Sequence, residues 1–238
     1  MFRQLDPAEI VKTTGRLVER IVNRFPESGL AGVGRELVAV GKEAVQGASD
    51  LGKPICPLRV AVWVVIVVFA ILPFILLATL NLSTGFETLG DFIQTLEAGV
   101  NDIGFAGIGI FFLVTLEGRI KRRRALSAIR DLRSIAHIID MHQLTKDPEL
   151  VLSGAAGSTL AGPILSRFEL AKYLNYSSEM LSLASKVAAL YVQHFDDRVV
   201  LEAVNEVEGL TTGLSRKVWQ KIMILDTVSA RRDQPEEL

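Results

Sequence analysis

Two apolar stretches lie close together, and the second runs directly into Arg119-Ile120-Lys121-Arg122-Arg123-Arg124. That arrangement restricts the chain more than any other feature. The first stretch, residues 60–80, contains no charged side chain. At 1.5 Å rise per residue it covers roughly 30 Å, the thickness of a bilayer core. Its whole circumference is apolar, whereas a surface helix of a soluble protein keeps one polar face. Pro73 predicts a kink, because it lacks an N–H and crowds the carbonyl of Phe69. Trp63 lies near the Arg59 end, where an amphipathic ring suits the membrane interface.

The second stretch has a short apolar core, 103–116, and reaches spanning length only as 98–118. This extension takes in Asn101, Asp102 and Glu117. All three sit at the ends, where a charge costs far less than the roughly 3 kcal/mol of the bilayer centre. Gly99, Gly104, Ala106, Gly107 and Gly109 thin its outer half and permit close helix approach, although no G-x-x-x-G spacing occurs there.

Charge orients the pair. Residues 81–102 carry Glu87, Asp91, Glu97 and Asp102 and no Lys or Arg, while 119–133 hold seven basic residues. Lys42, Lys53 and Arg59 precede or open the first span. The positive-inside rule therefore predicts a hairpin with both termini cytoplasmic and the acidic loop outside. A retained two-span anchor of this kind fits a bacterial inner membrane. A mean hydropathy of +0.34 and a hydrophobic content of 49% agree with a membrane protein.

Outside the spans the pattern is helical throughout. Asp6-Pro7-Ala8-Glu9 reads as a helix start, with Asp as cap, Pro in the first turn and Glu three residues past the cap. That helix is expected to stop before Pro26. Lys12, Arg16, Arg20 and Arg24 line one face; Ile10, Leu17, Val18 and Ile21 line the other. The basic face is either solvated or rests on a membrane surface. A second helix is predicted over 33–46, then a linker containing Gly47, Gly52, Pro54 and Pro57. Leu126, Ile129, Leu132, Ala136 and Ile139 extend the second span as one helix to about His142. Residues 143–165 break it, with a short turn at Asp147-Pro148-Glu149 and a flexible run at 153–163. Ser166-x-x-Glu169 is a capping box. Asp196 or Asp197 caps the next helix, in which Gly209 and Gly213 are expected to break or bend the path before 215–230.

The expected fold is all-α, a two-span transmembrane helical hairpin with N-terminal amphipathic helices and a C-terminal cytosolic helical bundle. The divisions are a helical region 1–46, a linker 47–58 and a first span 59–80. An acidic extracytoplasmic loop 81–97, a second span 98–118 and a helical extension 119–142 follow. A linker 143–165, a bundle 166–230 and a charged tail 231–238 complete the chain.

Chemistry-bearing residues are few. Net charge is −1 and Cys56 is the single cysteine, so an internal disulfide and a cysteine-rich metal site are excluded. His137-x-x-Asp140-x-His142 and His194-x-Asp196-Asp197 offer imidazole and carboxylate ligands for a transition metal. On one helix His142 points about 140° away from Asp140's partner position, so His194 would have to complete the set from elsewhere. The bland alternative is that the aspartates are caps and the histidines sit at helix C-termini. No G-x-S-x-G motif occurs, and 154–159 lacks the lysine and preceding strand of a phosphate loop.

Arg119, Lys121, Arg122, Arg123 and Arg124 are expected to meet anionic lipid headgroups, at about 1 kcal/mol each. A nucleic-acid partner is not expected, because the charge beyond residue 118 is nearly balanced. Cys56, just inside the first span, is a position for S-acylation, against the plainer reading of an unmodified thiol. Trp219, within Arg216-Lys217-Val218-Trp219-Gln220-Lys221, reads as a packing anchor or a membrane-surface contact. Glu97, Asp102 and Glu117 either mark span ends or form acidic rings in an oligomeric pore.

The leading expectation is a non-enzymatic membrane protein with no cofactor, likewise expected to be a homo-oligomer. Its cytosolic bundle would self-associate or dock a protein partner. A homo-oligomeric cation channel and a metal-dependent membrane-anchored enzyme are the alternatives.

Overall fold

Helix ends in this chain are written by local hydrogen bonds, and three of them follow the sequence closely. The structure, a computed structural model, describes residues 4–79, 89–144, 146 and 165–232, with fewer side chains described inside 72–102 and beyond 227. The expected features at 147–149, 153–163 and 233–238, and most of the loop before residue 89, lie outside the described residues. All regular structure among the described residues is helical: α1 (Pro7–Arg24), α2 (Gly29–Gly52), α3 (Cys56–Thr79), α4 (Leu89–Leu144), α5 (Arg167–Gln193) and α6 (Arg198–Arg232).

Asp6 Oδ1 caps α1 by accepting from the N–H groups of Ala8 at 2.9 Å and Glu9 at 3.4 Å. Pro7 takes the first turn, where no N–H partner is required. Ser166 and Glu169 form the full capping box of α5: Glu169 N–H donates to Ser166 Oγ at 3.3 Å, and Ser166 N–H donates to Glu169 Oε2 at 2.8 Å. Those bonds to Ser166 hold the Glu169 carboxyl below its ordinary range. Asp197, not Asp196, caps α6, accepting from Val199 and Val200 N–H at 3.0 and 3.2 Å.

Two expectations fail for a common reason. α2 runs from Gly29 to Gly52 rather than over 33–46, so the linker shrinks to residues 53–55. α6 continues through Gly209 and Gly213 without a break. Isolated glycines cost a helix about 1 kcal/mol each, but tertiary packing outweighs that. In α2 the glycines admit close neighbours: a Cβ on Gly34 would come within 2.9 Å of Val18 Cγ2. In α6 the buried stripe Val200, Val204, Val207, Thr211, Leu214, Val218 and Leu225 spans both glycines and carries the helix across.

The chain divides into two compact units. One comprises Lys53–Arg123. It contains α3 and the first part of α4, both long and apolar enough to cross a membrane, with nothing in their most apolar windows buried against protein. α3 continues as helix through Pro73 to Thr79. The start of α3 lies beside Glu117 of α4: Ile55 N–H donates to Glu117 Oε1 at 3.3 Å and Arg59 Nε to Oε2 at 2.7 Å. These bonds place the opening of one apolar helix beside the closing turns of the other, as in an antiparallel hairpin.

The other unit joins Met1–Gly52 to Arg124–Leu238 around one hydrophobic core. Its central element is α5, which packs on α1, α2 and α6. Leu170, Leu174, Met180, Leu181, Val187 and Leu190 of α5 are essentially without solvent contact. Each such side chain gains roughly 1.5–3 kcal/mol over its exposed state. Buried hydroxyls turn back on their own helix, as Ser177 does to the Tyr173 carbonyl at 3.0 Å. Burial also pushes the Tyr173 hydroxyl up to about 12.

Polar pairs fix the helix directions. Arg20 meets Glu179 at 2.7 Å and Gln193 donates to the Leu5 carbonyl at 3.2 Å, so α1 and α5 are antiparallel. Arg167 meets Asp226 at 3.9 Å, so α5 and α6 are antiparallel too. Arg133 meets Glu206 at 3.1 Å, while Lys221 donates to the Gln143 carbonyl at 2.9 Å. The end of α4 therefore runs parallel to α6. Gly41 faces Val187 and Gly47 faces Tyr191, making α2 parallel to α5. One end of this bundle gathers the close of α2 and of α5. The opposite end gathers Gly29, Leu144 and Arg167.

Candidate functional site

The histidines are dispersed by that helix arrangement. His142 lies against Gly29 at the start of α2, whereas His194 lies against Gly52 at its end. α2 has 24 residues, so those positions are roughly 35 Å apart. His137 is exposed on the outer face of α4. Asp140 instead accepts from its own helix, from Gln143 Nε2 at 2.6 Å. Among the described residues no group of three His, Cys, Asp or Glu side chains is placed to hold a metal ion. The expected set of His137, Asp140, His142 and His194 is thus not assembled. Sequence proximity to acids misled because the fold carries His142 and His194 to opposite ends of α2.

His142 has a packing role. A Cβ added to Gly29 would overlap its imidazole. Gly29→Ala is therefore expected to destabilise the bundle by about 1–3 kcal/mol, the usual cost of overpacking. His142→Ala in the same chain should restore most of it. Thermal unfolding of the single and double variants checks this; a Gly29→Ala chain as stable as the parent would contradict the contact.

Among the described residues Glu117 is the most heavily engaged carboxylate of the apolar unit. Besides Ile55 and Arg59 it meets Lys121 Nζ at 2.9 Å, one helical turn on. Arg59 is more than half exposed, but Lys121 and Glu117 keep only 10% and 15% of their side-chain surface. This corrects two expectations. Lys121 turns inward to Glu117 and leaves the set of headgroup contacts. Glu117 is neutralised within its own chain rather than presented as a free acidic ring. Arg122, Arg123 and Arg124 are exposed, and Arg119 lies over the Phe112 ring at 4.8 Å. Glu97 is exposed in α4; the side chain of Asp102 lies outside the described set. Cys56 is exposed and free at the first turn of α3.

The basic stripe of α1 splits. Arg20 is held by Glu179 and lies 5.7 Å over Tyr176, and Arg24 lies 5.0 Å over Phe168. Both serve the α1–α5 seam. Lys12 pairs with Glu9 at 3.3 Å on the exposed side. A purely solvated or membrane-resting stripe is not what the structure shows.

The feature that sequence reasoning missed is on α6. Trp219 is not buried in the bundle: it is 54% exposed, with Met223 at 59% and Ile224 at 45%. Together with Arg216 and Gln220 they line a shallow apolar groove. The helix is apolar on two sides here, since Val218 and Leu225 fill the core behind. The signal available in the sequence was this second stripe, with Trp219 and Met223 one turn apart and out of phase with Val218 and Leu225. Trp219 lies roughly 30 Å along α6 from its first residue, near the end of the bundle where Arg167 meets Asp226. An exposed tryptophan beside methionine is the kind of cluster that anchors protein interfaces.

No family model, no curated protein and no solved structure matches this chain.

Proposed function

We propose that the chain is a two-span membrane protein whose helical bundle lies in the cytoplasm and associates there with protein, without catalysis. The exposed Trp219–Met223–Ile224 face of α6, which lies outside the buried core of the bundle, carries this reading. The arginine run after α4 and the acidic loop between the spans support the orientation. Arg122, Arg123 and Arg124 would meet anionic headgroups. The plasma membrane, a bacterial inner membrane by this reading, would hold the copies at high local concentration, so a modest contact suffices.

The alternatives have less support. An inner acidic ring needs a carboxylate that is not already paired, and Glu117 is bound by Arg59, Lys121 and Ile55. A metal enzyme needs ligands in one place, and His142 and His194 occupy opposite ends of α2.

Association is tested on the purified full-length protein in mild detergent, by light scattering across a concentration series. The expected result is a mass above one chain, or a stoichiometric second protein. Trp219→Ser with Met223→Ser should weaken the assembly by about 2 kcal/mol or more, because buried tryptophans dominate interfaces. Both side chains are exposed, so folding should survive. A chain that stays monomeric and purifies alone would end the proposal.

A further inference from the structure

Two neighbouring helices of the bundle expose apolar side chains at one level. Lys221 of α6 donates to the Gln143 carbonyl of α4 at 2.9 Å, and the two helices run parallel there. Met141 and Leu144 of α4 are exposed within about one turn of that contact, as are Trp219, Met223 and Ile224 of α6. At 100° per residue, Ile224 stands roughly 60° from Lys221, on the α4 side of α6, and Trp219 roughly 160° from it. The apolar strip therefore crosses the outer surface of α6 and continues toward α4. Unpaired charge on this surface has one sign. Arg216 lines the groove and Lys217 follows it; both are exposed, and among the described residues neither has an ion-pair partner. Over 137–144 of α4 and 216–226 of α6 the carboxylates are Asp140 and Asp226. Asp140 accepts from Gln143, and Asp226 is engaged by Arg167 and by a further interaction.

We infer that this surface takes an acidic amphipathic helix of a partner protein. The partner's apolar side chains cover Trp219, Met223 and Ile224, and its carboxylates face Arg216 and Lys217. An apolar helix face laid into a groove supplies the contact area, and opposite charge at the rim selects the partner and its register. A second copy presenting the same face would set these cations against one another, and like charges face to face oppose association. Anionic lipid would suit the cations, but α4 continues from Arg124 to Gln143, a rise of roughly 29 Å. The potential of a membrane surface falls off within about 8 Å at physiological salt, so the headgroups that hold the arginine run do not act on the groove. The inference rests on the association reading above and names the chemistry of its partner.

Trp219 reports its own occupancy. In a Trp63→Phe background it is the only tryptophan of the full-length protein. The protein is reconstituted in phosphatidylcholine nanodiscs. The probe is a synthetic helical peptide of about 18 residues, with leucine at every third or fourth position and glutamate elsewhere. Binding should shift Trp219 emission to the blue, saturate, and weaken as salt rises. Arg216→Glu with Lys217→Glu should weaken binding about tenfold. A peptide with lysine in place of every glutamate should show the opposite preference, binding the exchanged protein more tightly than the parent. Such a reversal cannot come from misfolding, and both side chains are exposed. If emission does not respond to the acidic peptide up to about 1 mM, or both peptides bind both proteins alike, the inference is overturned. A blue shift on adding phosphatidylserine to the nanodiscs, without peptide, would make the membrane the occupant and overturn it too. A shift with protein concentration alone in detergent would make a second copy the occupant, and then the association reading stands while this inference falls. A parent protein that is monomeric, purifies alone and leaves the peptide unbound takes both down.

Discussion

Replacing Leu181 by alanine should lower the stability of the bundle by about 3–4 kcal/mol and its melting temperature by about 10 °C. Leu181 has no solvent contact and lies mid-way along α5, the helix that touches α1, α2 and α6. Truncation removes the burial of its methyl groups and leaves a cavity that three neighbouring helices must either tolerate or close around. A domain of this kind has only about 5–15 kcal/mol in total, so the loss is a large fraction. Far-UV circular dichroism of the full-length protein in detergent should show the bundle melting early, while the helical signal of α3 and the first part of α4 persists. An unchanged transition would mean that α5 is not the centre of the core. The same change at exposed Leu201 should cost little, because that side chain is largely in solvent already.

The second large effect is expected at Glu117. Glu117→Gln keeps the size and removes the charge that holds Arg59, Lys121 and the Ile55 N–H together. Lys121 would then be a cation with little solvent contact and no carboxylate beside it, which is costly. Arg59 is more than half exposed, so its share of the loss is discounted. The net destabilisation of this end of the hairpin is about 2 kcal/mol. Amide hydrogen exchange reads it locally, and exchange at Ile55 and the first turn of α3 should quicken by more than tenfold. Glu117→Asp should fall between the two, since one methylene less keeps the charge but shortens its reach to Arg59. If exchange at Ile55 is the same in all three proteins, the clamp does not hold the start of α3.

Much of this architecture was legible in the sequence because it depends on neighbours a few residues apart. An uncharged run of spanning length needs no tertiary information, since every face of the helix is apolar. The caps at Asp6 and Ser166 are likewise written within four residues. Asp197 was read together with Asp196, and only geometry chose between them. The stripe on α4 from Ile129 to Ile139 was visible as a period and is buried as expected.

Other features depended on what comes to lie beside them. α2 contains six glycines between Gly29 and Gly52, so propensity alone shortens it. It stays helical because Val18, Val187 and Tyr191 pack against the gaps those glycines leave. Glu117 looked like a bare span end until Arg59 and Ile55, far away in sequence, were brought to it. His142 and His194 were candidates for one metal site until α2 separated them by its own length. Trp219 read as a packing anchor or a membrane-surface contact, and the core behind it proved to be filled by Val218 and Leu225.

What the sequence determined by itself was the all-helical character, the two apolar helices and the capped starts, because those follow from hydrophobic length and from hydrogen bonds within a single turn. The tertiary structure alone decided which polar groups meet and which apolar side chains are left in solvent. Both depend on contacts between residues distant in the chain, which no local pattern encodes.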